Sequence, residues 1–262
     1  MPKLVATDLD GTLLHSDGSV TDRTRRVLAA LEEQGVTVVF VTGRPIRSMD
    51  ALWEHVGGHG LAVCSNGGIV YDVHAREVAR ARTIPVQTGL EVARLLRQAE
   101  PGVAFGVERT DGFGKEPGYL SRGAAPADLE IGPLEELMTD GVVKLLARHE
   151  DRDPEAFWAD VEDQIGHLVT TTWSSASALV EISGLGVTKA STLEQLCAER
   201  GVAAEEVVAF GDMPNDLPML AWAGTSYAMA DAHPSVRELA GELAPSNDRD
   251  GVAVVLERLF GL

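Results

Sequence analysis

The six residues from Val36 to Val41 form a continuous, largely β-branched run with no polar face. Such a strand is buried on both sides, the condition of a strand inside a parallel sheet. Parallel strands need crossover helices, and the flanking sequence supplies them. Leu4 to Thr7 is a short apolar run that stops at Asp8-Leu9-Asp10-Gly11. Thr21 to Gln34 then reads as a helix, with Val27, Leu28 and Leu31 on one face and Gly35 placed to end it. Beyond Thr42-Gly43-Arg44, Pro45 is expected in the first turn of another helix. Gly57-Gly58-His59-Gly60 reads as a loop, and Leu61 to Ser65 as a third strand broken at Asn66-Gly67-Gly68.

Residues 84–183 have a different character. Pro101-Gly102, Asp111-Gly112, Glu116-Pro117-Gly118 and Gly132-Pro133 punctuate them. Between these turns lie strand-like runs at Val103 to Val107, Val142 to Ala147, Leu168 to Trp173 and Ala178 to Ile182. Two amphipathic helices are expected near Thr88 to Gln98 and Pro154 to Ile165. From Lys189 the strict alternation returns, with a helix to Arg200, a strand at Val207 to Phe210, a helix through Ala221, a strand at Tyr227 to Met229 and terminal helices. The expected fold class is α/β: a Rossmann-like parallel-sheet core from residues 1–83 and 184–262, interrupted by an α+β cap at 84–183.

Composition narrows the partners. Twenty-two basic against 40 acidic residues give a net charge of −18, with no dense Lys/Arg block. That argues against nucleic acid or an anionic membrane surface as the partner. No apolar stretch is long enough to span a bilayer, and the start carries no secretory signal. Two cysteines, Cys64 and Cys197, cannot build a disulfide framework, so a reducing cytoplasm is expected, with both thiols buried as small hydrophobes.

The chemistry lies just past the strand ends, where open α/β sheets bind ligands. Asp8 and Asp10 are two apart and share a face, and Gly11 lets the chain turn sharply after them. Gly211-Asp212-Met213-Pro214-Asn215-Asp216 brings two further carboxylates one helical turn apart. Converging carboxylates repel by a few kcal/mol per close pair at an effective dielectric of about 20. Such a cluster needs a cation, and an all-oxygen donor set without His or Cys suits Mg²⁺. The seven histidines are scattered without metal-ligand spacing. Gly114-Lys115 lacks the rest of a P-loop, which removes ATP hydrolysis of that type.

Taken in order, Asp8-Leu9-Asp10-Gly11-Thr12, Thr42-Gly43-Arg44, Lys189 and Gly211-Asp212-Met213-Pro214-Asn215-Asp216 resemble the four motifs of the haloacid dehalogenase (HAD) superfamily. Ser65-Asn66-Gly67-Gly68, the position of the cap, and Asn247 followed by Gly251-Val252-Ala253 resemble its Cof-type, class IIB sugar-phosphatase branch. The resemblance covers both core segments, whereas the cap matches in position and size alone.

The resemblance implies roles. Asp8 attacks phosphorus and forms an aspartyl-phosphate, while Asp10 acts as general acid and then base. Thr42, Lys189 and Asn215 bind the phosphoryl group. Mg²⁺ sits between Asp8, the Asp10 carbonyl and Asp212, and Asp216, Gly43, Arg44 and Asn66 support the site. Asp216 and Asn215 also position Lys189 and metal-bound water. Two positions depart from the pattern: Ala190 stands where Gly is usual, and Ala230-Asp231-Ala232 where Gly-Asn-Ala is usual, bringing in a fifth acid.

The expected activity is hydrolysis of small phosphorylated metabolites, sugar phosphates first. The insert is expected to act as a lid that admits compact esters and not folded phosphoproteins, with loops such as Arg109 to Ser121 setting specificity. A phosphohexomutase shares the motif set and is the alternative enzyme. A phosphorylatable switch is the non-enzymatic one, although receivers are about half this length and place their acidic pair before the phosphorylated Asp.

Overall fold

The computed structural model describes residues 2–49, 52–53, 60–121, 126, 128–173 and 177–262. In chain order the strands are β1 (Leu4–Thr7), β2 (Thr37–Val41), β3 (Leu61–Cys64), β4 (Ile69–Asp72), β5 (Glu77–Ala81), β6 (Ala104–Arg109) and β7 (Phe113–Lys115). They continue with β8 (Glu130–Ile131), β9 (Val142–Arg148), β10 (Val169–Thr172), β11 (Leu179–Gly184), β12 (Val207–Gly211), β13 (Thr225–Met229) and β14 (Glu242–Ala244). The chain divides into two compact units, residues 1–79 with 189–262, and residues 80–188.

The first unit is built on a sheet of order β14-β13-β12-β1-β2-β3-β4-β5. Its pairings from β14 to β3 are parallel, and β3–β4 is antiparallel. β1 and β2 are buried along almost their whole length, as the unalternating runs require. The chain runs β1→β2→β3 in one direction and β12→β13→β14 in the other, so the order reverses between β1 and β12. With right-handed crossovers, that reversal puts helix Asp22–Glu33 and helix Leu217–Trp222 on opposite faces. It also opens a crevice at the carboxyl ends of β1 and β12. The register fixes what lies there. Thr7 stands beside both Phe40 and Phe210, so the residues that follow each strand emerge level with one another.

Local signals explain the helix ends. The Thr21 side chain accepts from the Thr24 amide as N-cap of helix Asp22–Glu33, and Gly35 takes φ +75° just past its end. Pro45 stands just outside the helical turn that follows it, not within its first turn. It precedes a single tight turn at Ile46–Ser48, since its extended ψ of 159° places it before the first helical residue. The expected loop at Gly57-Gly58-His59 lies outside the described residues.

The second unit is a sheet of order β10-β11-β9-β6-β7-β8, antiparallel apart from β7–β8. Alternate residues of its strands, among them Phe105, Val107, Leu145, Ala147, Val180 and Ile182, pack with Val92, Leu96, Phe157 and Val161 from helices Val86–Ala99 and Pro154–Ile165. Phe113, Tyr119 and Leu146 form a smaller cluster. Trp158 is partly buried against the main core, and its indole N–H donates to Thr171. Arg109 is tied to Glu130 and Asp111. The unit begins four residues before the expected boundary and ends five after it. Ile84 N–H bonds Val142, Arg82 bonds the Gly186 carbonyl, and Val187 N–H closes a turn onto Gly184, so both flanks belong to this unit's strands.

Cys64 and Cys197 are both buried and not joined in a disulfide, and burial pushes the Cys197 thiol up to about 11. Among the described residues, no helix is long and apolar enough to cross a membrane. Asn247 is 4% exposed and donates through Nδ2 to the Leu14 carbonyl at 2.8 Å, pinning the segment after β1 to the C-terminal turn. Asn247→Ala strands that buried carbonyl. Denaturant unfolding should show a loss of roughly 1–3 kcal/mol, and an unchanged midpoint would show that water replaces the bond at no cost.

Candidate active site

Leaving β1, the chain makes one wide turn, closed by a 2.9 Å bond from Leu14 N–H to the Leu9 carbonyl. Gly11 sits in it at φ +74°, and a Cβ there would lie 2.3 Å from Asp212 Oδ2. Glycine is therefore required twice over, by conformation and by space. Gly211 is forced by space alone, since its Cβ would meet that of Asp216 at 2.6 Å.

Lys189 is the first residue of helix Lys189–Glu199 and is 1% exposed. Its Nζ donates to Asp8 Oδ1 at 2.8 Å and to Asp216 Oδ1 at 2.7 Å. Asp216 is fully buried, and its second oxygen accepts the amides of Asp212 and Met213, each at 3.1 Å. Thr12, also buried, donates to Asp212 Oδ1 at 2.9 Å. Asp8, Asp212 and Asp216 each offer an oxygen within 4.8 Å of the others. Both oxygens of Asp216 already accept from donors, whereas those bonds engage only one oxygen each of Asp8 and Asp212.

The charges do not balance internally. Three carboxylates face one ammonium. Burial raises the Asp8 carboxyl well above its ordinary range, and the nearby charges of Asp216 and Asp212 add to this while Lys189 opposes it. Asp212 is pushed up to about 6 by burial and by Asp216. Burial works against the Lys189 charge, but Asp216 and Asp8 outweigh it and hold that amine above its usual value. A divalent cation matches the two negative charges left over, and the hard carboxylate donors fit one such as Mg²⁺.

Thr42 is buried at the end of β2, and its Oγ1 accepts the Arg44 amide at 3.0 Å, leaving its own hydroxyl proton to donate. Arg44 itself grips Asp10 with two guanidinium nitrogens, one at 2.6 Å, and Asp10 is largely exposed. Asn66 is fully buried and its Oδ1 accepts Asn215 Nδ2 at 3.1 Å. The other amide atom of Asn215, Oδ1, is buried without a partner among the described residues. A Cβ on Gly43 would come within 3.0 Å of Asn66 Oδ1.

The structure thus gathers Asp8, Lys189, Asp212 and Asp216 into one cluster, with Asn215 and Asn66 behind it, and pairs Asp10 with Arg44. Asp231 is exposed and does not join the three carboxylates. Ala190 is buried beside Lys189. Two contributors carry weak sequence signals. Thr12 is visible only as the end of the first motif, and Thr192, whose Oγ1 donates to the Gly67 carbonyl at 2.8 Å, has no signal in the sequence.

A carboxyl raised on folding contributes stability below its unfolded pKa, and loses that contribution as pH climbs through the folded value. For Asp212 the window runs from 3.8 to about 6. In the presence of a chelator at pH 8, Asp212→Asn should therefore melt above the wild type, by an amount on the order of 3 kcal/mol or less. The gap should narrow as pH falls below the window. A wild type that stays the more stable at pH 8 without metal would overturn this electrostatic account.

Comparison with known proteins agrees with this geometry. The sequence profile of the haloacid dehalogenase-like hydrolases matches residues 5–256. The chain is similar to the 5-amino-6-(5-phospho-D-ribitylamino)uracil phosphatase YitU of Bacillus subtilis, 27% identical over 100% of this chain and 98% of that one. It is 28% identical to the pyridoxal phosphate phosphatase YbhA of Escherichia coli, over 96% of each chain. Its fold is that of the HAD subclass IIB sugar phosphatase BT4131, with a TM-score of 0.80 and 20% identity over 99% of both chains. Full-length matches of this kind, joined to a buried lysine bridging two strand-end aspartates, place the chain in the haloacid dehalogenase-like hydrolase family as a phosphoric monoester hydrolase.

Proposed function

We propose that the protein hydrolyses phosphomonoesters of small metabolites, sugar phosphates among them, through a phosphoryl-enzyme on Asp8 and with Mg²⁺ as the cation. The observation that carries this reading is the Lys189 bridge. It leaves Asp8 anchored through one oxygen, a rotamer fixed for attack by the carboxylate.

The residues divide the work as follows. Asp8 attacks phosphorus, the bond to the ester oxygen breaks, and Asp10 gives that oxygen a proton. Water then attacks the phosphoryl group, Asp10 takes the water's proton, and inorganic phosphate leaves with Asp8 restored. In the structure Asp10 is held by Arg44, so this role requires Arg44 to let go. An incoming phosphate dianion competes for that guanidinium. Thr42 donates its hydroxyl proton to a phosphoryl oxygen, and Lys189 adds fixed positive charge where negative charge develops. Asp8, Asp212 and the Asp10 carbonyl would hold the Mg²⁺, which when bound neutralises the carboxylates and draws charge from the phosphoryl oxygens. The free acceptor of Asn215 suits a donor such as a metal-bound water better than a phosphoryl oxygen, which cannot donate.

Asp8→Asn keeps the side-chain shape and removes the attacking anion. Phosphate release should drop by at least about 10³-fold while the melting temperature changes little. Rapid acid quenching of the wild type with labelled ester should trap label on the chain, and none on Asp8→Asn. A folded Asp8→Asn protein with substantial turnover would refute the covalent route. Excess EDTA should abolish activity and Mg²⁺ restore it. Hexose and pentose phosphates, pyridoxal phosphate, p-nitrophenyl phosphate and a folded phosphoprotein form the informative panel. The phosphoprotein should be the poorest substrate, and isomerisation of a hexose 1-phosphate without phosphate release would identify a mutase instead.

A further inference from the structure

The segment after β3 carries three consecutive residues in the left-handed region: Ser65 at φ 52°, Asn66 at 55° and Gly67 at 100°. Glycine and asparagine tolerate that region, whereas serine is strained there. Strain of this kind persists only where the surroundings over-determine it. Ser65 and Asn66 are fully buried, and the turn is held from three sides.

The first side is the Thr42-Gly43-Arg44 segment. Asn66 N–H donates to the Thr42 carbonyl at 3.0 Å and Ser65 N–H to the Arg44 carbonyl at 2.9 Å. The second is the helix that begins with Lys189, where Thr192 donates to the Gly67 carbonyl. Residues 189 and 192 are three apart and share a helix face, so that bond fixes the rotation of the helix that aims Lys189. The third is the loop after β12, where Asn215 donates to Asn66 Oδ1. Asn215 and Asp216 belong to the single turn Pro214–Asp216, and Asp216 holds the Lys189 ammonium. One strained three-residue turn therefore clamps the segments bearing Thr42, Lys189 and Asp216. Among the described residues, it is Asn66 that carries a side-chain bond from the clamp to the acidic loop.

Resting on the phosphoryl-transfer reading above, we propose that Asn66 is a positioning residue for the reaction. It acts through Asn215 to hold the Asn215–Asp216 turn, and with it Lys189, in register with Thr42. It touches none of the reacting carboxylates directly in the contacts above, so its removal should affect turnover more than substrate affinity.

Asn66→Gly is the informative variant, because glycine adopts the left-handed turn without strain and loses only the amide. It should fold with a melting temperature within a few degrees of wild type. Its kcat should fall by about 10- to 100-fold, as expected when catalytic groups shift by a fraction of an ångström to one ångström, with KM changed less than about threefold. Asn215→Ala should cause at least as large a loss, since it removes the same link and the Oδ1 acceptor as well. The double variant should be no worse than the weaker single one, since both remove the same link. If Asn66→Gly keeps kcat within about twofold of wild type, or if the two losses multiply, Asn66 does not act through Asn215 and the proposal fails. Asp8→Asn measured in parallel separates this failure from failure of the underlying mechanism: residual turnover in Asp8→Asn sinks the mechanism, and an active Asn66→Gly beside a dead Asp8→Asn sinks only the positioning role.

Discussion

The buried ammonium of Lys189 is what lets two aspartates from distant parts of the sequence meet in the interior. Taking any one of these charges out of solvent alone would cost several kcal/mol, and removing one partner of such a network leaves the others uncompensated. Asp8 and Asp216 are 208 positions apart in sequence, yet a single nitrogen touches both within 2.8 Å. The arrangement is not a stability device in the ordinary sense, because it leaves Asp212 and Asp8 pushed toward protonation. A hydrophobic cluster of equal volume would fold more favourably. Unmatched negative charge at a strand-end crevice makes sense as a receptor for a cation, with the anchored Asp8 beside it.

That arrangement depends in turn on strand register. Parallel pairing places Thr7 beside Phe40 and Phe210. One residue of slippage would move Asp8 away from Thr42 and Asp212 and turn each strand over. Gly11 and Gly211 then permit an approach that no side chain allows, with Asp212 seated over one and Asp216 over the other. The precision of the cluster thus comes from the sheet, and its closeness from two missing side chains.

This division explains what was legible in the sequence. The parallel core could be read because its strands, buried on both faces, cannot alternate, and Val36 to Val41 shows this directly. Helix Pro154–Ile165 runs where its amphipathic pattern places it. β8 and β14 could not be read. They are two and three residues long and mostly exposed, paired through backbone groups that leave no mark on composition. β5 alternates exposed and half-buried positions rich in charge, so it resembles a surface loop. At the site, Asp8, Asp212 and Asp216 were legible as carboxylates in the segments that follow two strands, and Lys189 through the family resemblance; the structure brings the four together. The Arg44 grip on Asp10 and the bond from Thr12 to Asp212 depend on side-chain rotamers, which residue spacing does not encode. The strain at Ser65 and Asn66 was hidden for a related reason: serine there contradicts local preference, and only the surrounding clamp overrides it.

The same balance bears on how an anionic ester is held by so acidic a chain. At a net charge of −18, the field of the whole molecule repels a phosphate dianion rather than steering it. Attraction has to be local and short-ranged, and among the described residues the cations bonded to Asp8 and Asp10 are already engaged: Lys189 with two carboxylates and Arg44 with one. Neither is idle charge waiting for substrate. Net positive field in the crevice therefore requires either a bound cation or an exchange in which phosphate takes a carboxylate's place. Arg44 is half-buried and paired with an exposed carboxylate, while Lys189 is 1% exposed and doubly held. On the proposed mechanism the two basic residues differ in kind: one would fix the nucleophile, and the other would trade an aspartate for the substrate.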